Sequence, residues 1–147
     1  MNYKKILFAT DFSPASEAAF KYATALARDS GALLVIAHVE ELPLPYVGGE
    51  MYMAQPDYPN PEIRRILEEI VPGDKNVRYE HRLVLGVASE DIVRIADEEE
   101  ADLIVIGTHG RSGLKRVLMG SVAEAVMRHA NCPVLTLKEA NKAPATS

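Results

Sequence analysis

The chain has 147 residues, with 16 Lys and Arg against 21 Asp and Glu, a net charge of −5. That length fits one domain able to bury about two-thirds of its unfolded surface without covalent staples, and the acidic balance disfavours nucleic acid as the main partner. The single Cys132 excludes an internal disulfide and a zinc-finger framework and fits a reducing compartment. No apolar run approaches the ~20 residues that cross a bilayer, and the N-terminal apolar stretch is too short for a signal peptide, so the expected location is cytoplasmic.

Ile6-Leu7-Phe8-Ala9 is an unbroken apolar run ending at Thr10-Asp11, the pattern of a buried strand. Ser13-Pro14 supplies a helix cap and a first-turn proline. Ala15, Ala18, Ala19, Tyr22, Ala23, Leu26 and Ala27 then recur at helical spacing until Gly31. Leu33 to Val39 predicts a second strand and completes a right-handed βαβ unit. Residues 40–61 hold five of the nine prolines and three of the six tyrosines, which predicts a lid or binding loop without regular elements.

A short helix is expected from Glu62 to Ile70, ended by Pro72-Gly73-Asp74, and Val77 to Leu85 reads as a strand at a sheet edge. Ala88 to Glu100 predicts a helix with Ile92, Val93, Ile95 and Ala96 turned inward. Asp102 to Ile106 predicts the fourth strand and Val122 to His129 a helix. Asn131-Cys132-Pro133 turns the chain into a last strand, Val134 to Leu137. The expected class is α/β, a three-layer α/β/α domain over residues 1–138 with a five-stranded parallel sheet, followed by a mobile tail, 139–147.

Ligands of open parallel sheets bind beyond the carboxyl ends of the strands, where the strand order reverses. Here the first strand ends in Asp11, and the fourth opens into Gly107-Thr108-His109-Gly110-Arg111-Ser112-Gly113, followed after six residues by Gly120-Ser121. Glycines allow close amide approach to an anion and positive φ, and a helix start adds unpaired amides and the positive end of its dipole. No acidic residue stands between Leu103 and Ala123, while Arg111, Lys115 and Arg116 do. The physical reading is a phosphate cradle.

Plainer readings stand beside it. Ser121-Val122-Ala123-Glu124 also spells a capping box, Gly107 and Gly110 can serve a turn, and Asp11 can be a solvated or helix-capping acid. His109 has no acid partner in the sequence, so no catalytic histidine is read. The P-loop, the dinucleotide fingerprint, the hydrolase nucleophile elbow and the receiver acidic set are all absent.

From Ala9-Thr10-Asp11-Phe12-Ser13, through Ala101 to Gly110, to Gly120-Ser121-Val122-Ala123 and Asn131-Cys132-Pro133-Val134-Leu135, the sequence resembles the universal stress proteins, specifically their ATP-binding subgroup. The subgroup motif is Gly, two residues, Gly, nine residues, Gly, then Ser or Thr, and Gly107, Gly110, Gly120 and Ser121 satisfy it without a gap. The resemblance implies an adenine nucleotide alpha hydrolase-like, Rossmann-like sheet of order 3-2-1-4-5. It also implies ATP across the crevice between Asp11 and Gly107. Asp11, with Ala9 and Thr10 beside it, would face the ribose or base, and main-chain groups of Val39 the adenine edge. Gly107, His109, Gly110, Gly120, Ser121 and Val122, flanked by Ile106 and Arg111, would hold the phosphates, with Mg²⁺ or Mn²⁺ bridging them. A homodimer through Val134 to Leu137 is implied as well.

The leading function is an ATP-binding regulatory module of a stress response. Asp11 lies at the nucleoside end and Glu124 is expected in a helix cap, so no base is aimed at a γ-phosphate and turnover should be slow or absent. A slow ATPase or autophosphorylating phosphotransferase is the alternative, and a docking module with an empty crevice a third.

Overall fold

In the computed structural model, the described residues are 2–41, 46–47, 50–51, 59–108 and 120–138. The first apolar run forms β1 (Lys5–Ala9), followed by α1 (Pro14–Ser30), β2 (Leu33–Glu40), α2 (Pro61–Glu68) and β5 (Tyr79–Leu85). α3 (Ala88–Glu99), β6 (Leu103–Gly107), α4 (Ser121–His129) and β7 (Val134–Leu137) complete the main body. Two short strands, β3 (Tyr46–Val47) and β4 (Glu50–Met51), pair antiparallel by themselves.

The main sheet runs β5-β2-β1-β6-β7, every pair parallel. With the short hairpin set aside, this is the expected order 3-2-1-4-5. The alternation of the strands divides the core into two layers. Ile6, Phe8, Leu34, Ile36 and Val105 face α1 and α2, against Ala19, Ala23, Ala27 and Leu67. Leu7, Val35, Ala37, Ile104 and Ile106 face α3 and α4, against Ile92, Ile95, Ala96, Ala123 and Val126. Each large side chain fully buried in this way contributes roughly 1.5–3 kcal/mol. The alanine stripe of α1 lets that helix lie close to the sheet.

The helix ends follow local chemistry. Ser13 caps α1, its hydroxyl accepting from the Ser16 amide at 3.3 Å, and Gly31 closes it at φ 73° in the left-handed region. Asn60 caps α2 through the Glu62 amide at 2.9 Å, and Pro61 occupies its first turn, so the helix begins one residue earlier than expected. At α3 the N-cap residue Val87 has no polar side chain. Instead Asp91 reaches back, its Oδ2 accepting the Val87 amide at 2.7 Å.

Two expectations need correction. The absence of regular elements between 40 and 61 fails, because β3 and β4 pair there and Pro61 opens α2. The prolines lie outside the paired residues, and Gly48-Gly49 between them is the composition of a two-residue hairpin connection. β5 starts at Tyr79 rather than Val77, although Val77 is itself buried. Residues 139–147, expected as a tail, lie outside the described residues.

Candidate functional site

β1 and β6 are neighbours, yet β1 leads into α1 on one face and β6 leads toward α4 on the other. Their carboxyl ends therefore diverge and leave a crevice at the point where strand order reverses. Asp11 follows β1 there, and Gly107 ends β6.

The turn after β1 is tightly specified. The Thr10 amide donates to the Ala37 carbonyl at 2.9 Å, extending the ladder one residue past β1. Phe12 sits at φ 66°, a left-handed conformation that costs a bulky residue about 1–2 kcal/mol. Its amide donates to Thr10 Oγ1 at 2.9 Å. Asp11 Oδ1 accepts both the Ser13 amide at 2.9 Å and the Ser16 hydroxyl at 2.7 Å. Asp11 is thus half-buried and tied to the start of α1, although the cap itself is Ser13. Both of these bonds fall on Oδ1.

The other wall is formed by the end of β6 and the start of α4. The Thr108 amide donates to the Leu137 carbonyl at 2.8 Å, and its own carbonyl accepts the Gly120 amide. Residues 109–119 therefore leave and rejoin the body at one hydrogen-bonded step. His109, Gly110 and Arg111, with Lys115 and Arg116, lie outside the described residues.

Here the capping-box reading is corrected. Gly120, not Ser121, is the N-cap of α4, with no side-chain cap bond, and Ser121 is already the first helical residue. Glu124 does not reach back to the cap. Its carboxylate accepts from Arg128 Nη2 at 2.9 Å, one turn along. Ser13 and Asn60 cap α1 and α2, whereas Gly120 gives α4 no side-chain cap, as Val87 gives none to α3, where Asp91 takes only the Val87 amide. Uncapped first amides, at the positive end of a helix, suit an anion.

Among the described glycines only Gly31 has positive φ, and Gly120 is extended at φ −68° and ψ 157°. Gly107 is required for packing: a Cβ there would lie 3.0 Å from the Ala15 carbonyl carbon and 3.1 Å from its Cβ and oxygen. Gly120 thus makes no use of left-handed backbone.

Ala9, Val39 and Ile106 are buried in the layer under α3 and α4, so their side chains belong to the core. Val122 packs at the margin of the same layer. A groove of about 450 Å³ reaches Thr10, Phe12 and Ser16 from the α1–α2 face. A larger one, about 620 Å³, lies along α1 beside Gly73 and Lys75, away from the strand ends. Cys132 offers no alternative chemistry, since burial, with Asp97 and Asp102 nearby, pushes its thiol up and keeps it protonated. Among the described residues no three His, Cys, Asp or Glu side chains gather to hold a metal, and no helix is long and apolar enough to cross a membrane.

Sequence reading passed over three participants. Ser16 looks like any helix residue until its hydroxyl is seen on Asp11. Glu40 ends β2 buried, and its Oε2 accepts the Asn60 amide at 3.2 Å. His38 stands in an apolar strand, its Nδ1 2.7 Å from the Thr10 carbonyl.

With this geometry in place, comparison with known proteins is direct. The profile of the universal stress protein family matches residues 2–138. The chain belongs to that family. The universal stress protein MJ0577 of Methanocaldococcus jannaschii is 31% identical over 159 residues, spanning 95% of this chain and 97% of its own. Its solved structure superposes with a TM-score of 0.74, covering 97% of this chain and 100% of that one. A universal stress protein solved in complex with cAMP is 30% identical, with a TM-score of 0.68 over 95% and 100% of the two chains. One from Archaeoglobus fulgidus, solved in complex with dAMP, is 28% identical, with a TM-score of 0.63 over 94% and 100%.

Proposed function

We propose that this chain is an adenine-nucleotide-binding module of a cytoplasmic stress response, with ATP lying across the crevice between the ends of β1 and β6. The observation that carries this reading is the uncapped start of α4, whose first amides have no side-chain partner among the described residues. A phosphate tail supplies what a capping side chain otherwise would. In this reading Gly120, Ser121 and Val122 hold phosphate oxygens, together with Gly107, His109, Gly110 and Arg111 of the connecting loop. Asp11 and its neighbours Ala9 and Thr10 face the ribose, and main-chain groups of Val39 meet the adenine edge, with Ile106 beneath the crevice. The cAMP and dAMP complexes of two relatives support an adenine nucleotide as the ligand class. Mg²⁺ or Mn²⁺ would be carried by the phosphates.

Turnover is slow or absent in this reading. Asp11 is committed through Oδ1 to the turn, and Glu124 is paired with Arg128. A second copy of the chain covers the edge strand β7, whose outer side has no neighbouring strand among the described residues. The test is calorimetry with ATP and Mg²⁺, together with mass analysis of nucleotide released on denaturing the purified protein. Saturable heat, lost in Gly120→Val with the fold intact, supports the reading. Absence of heat at millimolar ATP overturns it. Steady-state phosphate release abolished by Asp11→Ala would replace the regulatory role with catalysis.

A further inference from the structure

His38 engages both chain neighbours of Asp11. Its Nδ1 lies 2.7 Å from the Thr10 carbonyl oxygen, and because a carbonyl only accepts, Nδ1 carries the proton. Its ring stacks on Phe12, centroids 4.3 Å apart and planes inclined by 31°. Phe12 is the residue held in the left-handed region, at φ 66°. Its amide donates to Thr10 Oγ1, the Ser13 amide and the Ser16 hydroxyl donate to Asp11 Oδ1, and Phe12 also packs against the layer under α1 and α2. Strained backbone of this kind persists where the surroundings over-determine it. β2 adds restraint from outside the turn through His38, with one polar and one aromatic contact on either side of the carboxylate.

We propose that His38 is a positioning residue for the nucleotide site, fixing the Asp11 carboxylate by clamping Thr10 and Phe12. The inference rests on the nucleotide reading above and deepens it. β2 also carries Val39, the next residue, so the strand that meets the base in that reading sets the geometry of the ribose side as well. The two ends of the nucleoside are thereby referenced to one inner strand, paired on both edges, the arrangement a preorganised site needs.

Three variants test this in the full chain. His38→Phe keeps a ring for Phe12 but removes the donor. His38→Asn removes the ring but places an amide nitrogen near the position of Nδ1. His38→Gln carries its amide too far along the side chain to reach the same carbonyl. Two readouts are taken: ATP affinity by calorimetry, with inorganic tripolyphosphate as a probe lacking the nucleoside, and hydrogen exchange of the Phe12 and Ser13 amides without nucleotide.

The expected result is exchange at Phe12 and Ser13 roughly tenfold faster in His38→Phe and His38→Gln, with ATP affinity about tenfold weaker, the scale of one lost hydrogen bond. Tripolyphosphate affinity stays at the wild-type value, and His38→Asn recovers most of both losses. Wild-type ATP affinity and exchange in His38→Phe overturn the inference and leave the nucleotide reading intact. Equal loss for ATP and tripolyphosphate, or no recovery in His38→Asn, reduces His38 to a packing residue and also overturns it. A wild-type protein that takes no ATP removes the nucleotide reading, and the positioning role with it. If His38→Phe does not fold, the contrast between His38→Asn and His38→Gln decides the matter.

Discussion

The Ser16 hydroxyl donates to Asp11 Oδ1 at 2.7 Å, so the acid that closes β1 is also an anchor for the first turn of α1. Asp11 therefore has a structural duty separable from any ligand. Asp11→Asn retains an oxygen for both Ser13 and Ser16 and is expected to melt within a few degrees of wild type. Asp11→Ala loses both bonds and is expected to cost about 1–2 kcal/mol. Urea unfolding of the two variants measures the difference, and equal stability would remove Asp11 from the anchoring of α1.

Ser121 gives the opposite separation. As the first helical residue, with no cap bond from its side chain, it contributes little to folding. Ser121→Ala should leave the melting temperature unchanged while weakening ATP by about 10–100-fold, the cost of a hydrogen bond to a charged group. A capping serine would behave the other way round, losing stability and keeping affinity.

Gly107 is held by a backbone contact that cannot yield easily. In Gly107→Ala the new methyl must displace the chain at Ala15, which overpacking of this kind makes costly by roughly 1–3 kcal/mol. Chemical denaturation checks it. The paired variant Ala15→Gly removes the Ala15 Cβ but not its carbonyl, so it should restore only part of the loss.

The Arg94 guanidinium beside Asp91 holds that carboxyl below the usual carboxylate range, with the Val87 amide adding to the effect. The folded state thus binds this proton less readily than the unfolded chain, so the contribution is complete above the ordinary value of about 3.9 and fades as pH falls through the lower folded value. Solvent reaches the pair, which limits the effect to about 0.5–1 kcal/mol. Urea titrations of wild type and Asp91→Asn should differ constantly from pH 7 to 5 and converge in more acidic buffer.

Gly86 depends on the same carboxylate. A Cβ at Gly86 would overlap Asp91 Oδ2, and the side chain would have to leave the Val87 amide. Gly86→Ala should cost about 1 kcal/mol, the value of a lost helix cap, and cost much less in an Asp91→Ala background. Additive losses in that double-mutant cycle would contradict the shared contact.

The parallel sheet could be read from sequence because its inner strands are almost wholly apolar runs bounded by polar turns, and Ser13-Pro14 and Gly31 bracket α1 in plain view. The site was readable in outline, since Asp11 and the glycine-rich stretch fall at two strand ends that the topology makes adjacent. What escaped is tertiary. Nothing local in Gly107 announces Ala15, far earlier in the chain, and His38 is hidden in a strand whose other residues are nearly all apolar. The start of α4 was misplaced by one residue because serine so often caps, whereas here the preceding glycine takes that position. The β3–β4 pair was lost beneath the prolines around it, although adjacent glycines between two short β-prone stretches gave the signal.

The contact between Glu40 and Asn60 makes residues 41–59 an insertion with a fixed doorway. With entry and exit fastened together, each doubling of the chain between those anchors adds only about 0.6 kcal/mol of closure entropy. A protein engineer seeking a place to graft a foreign recognition segment would start from those two anchors.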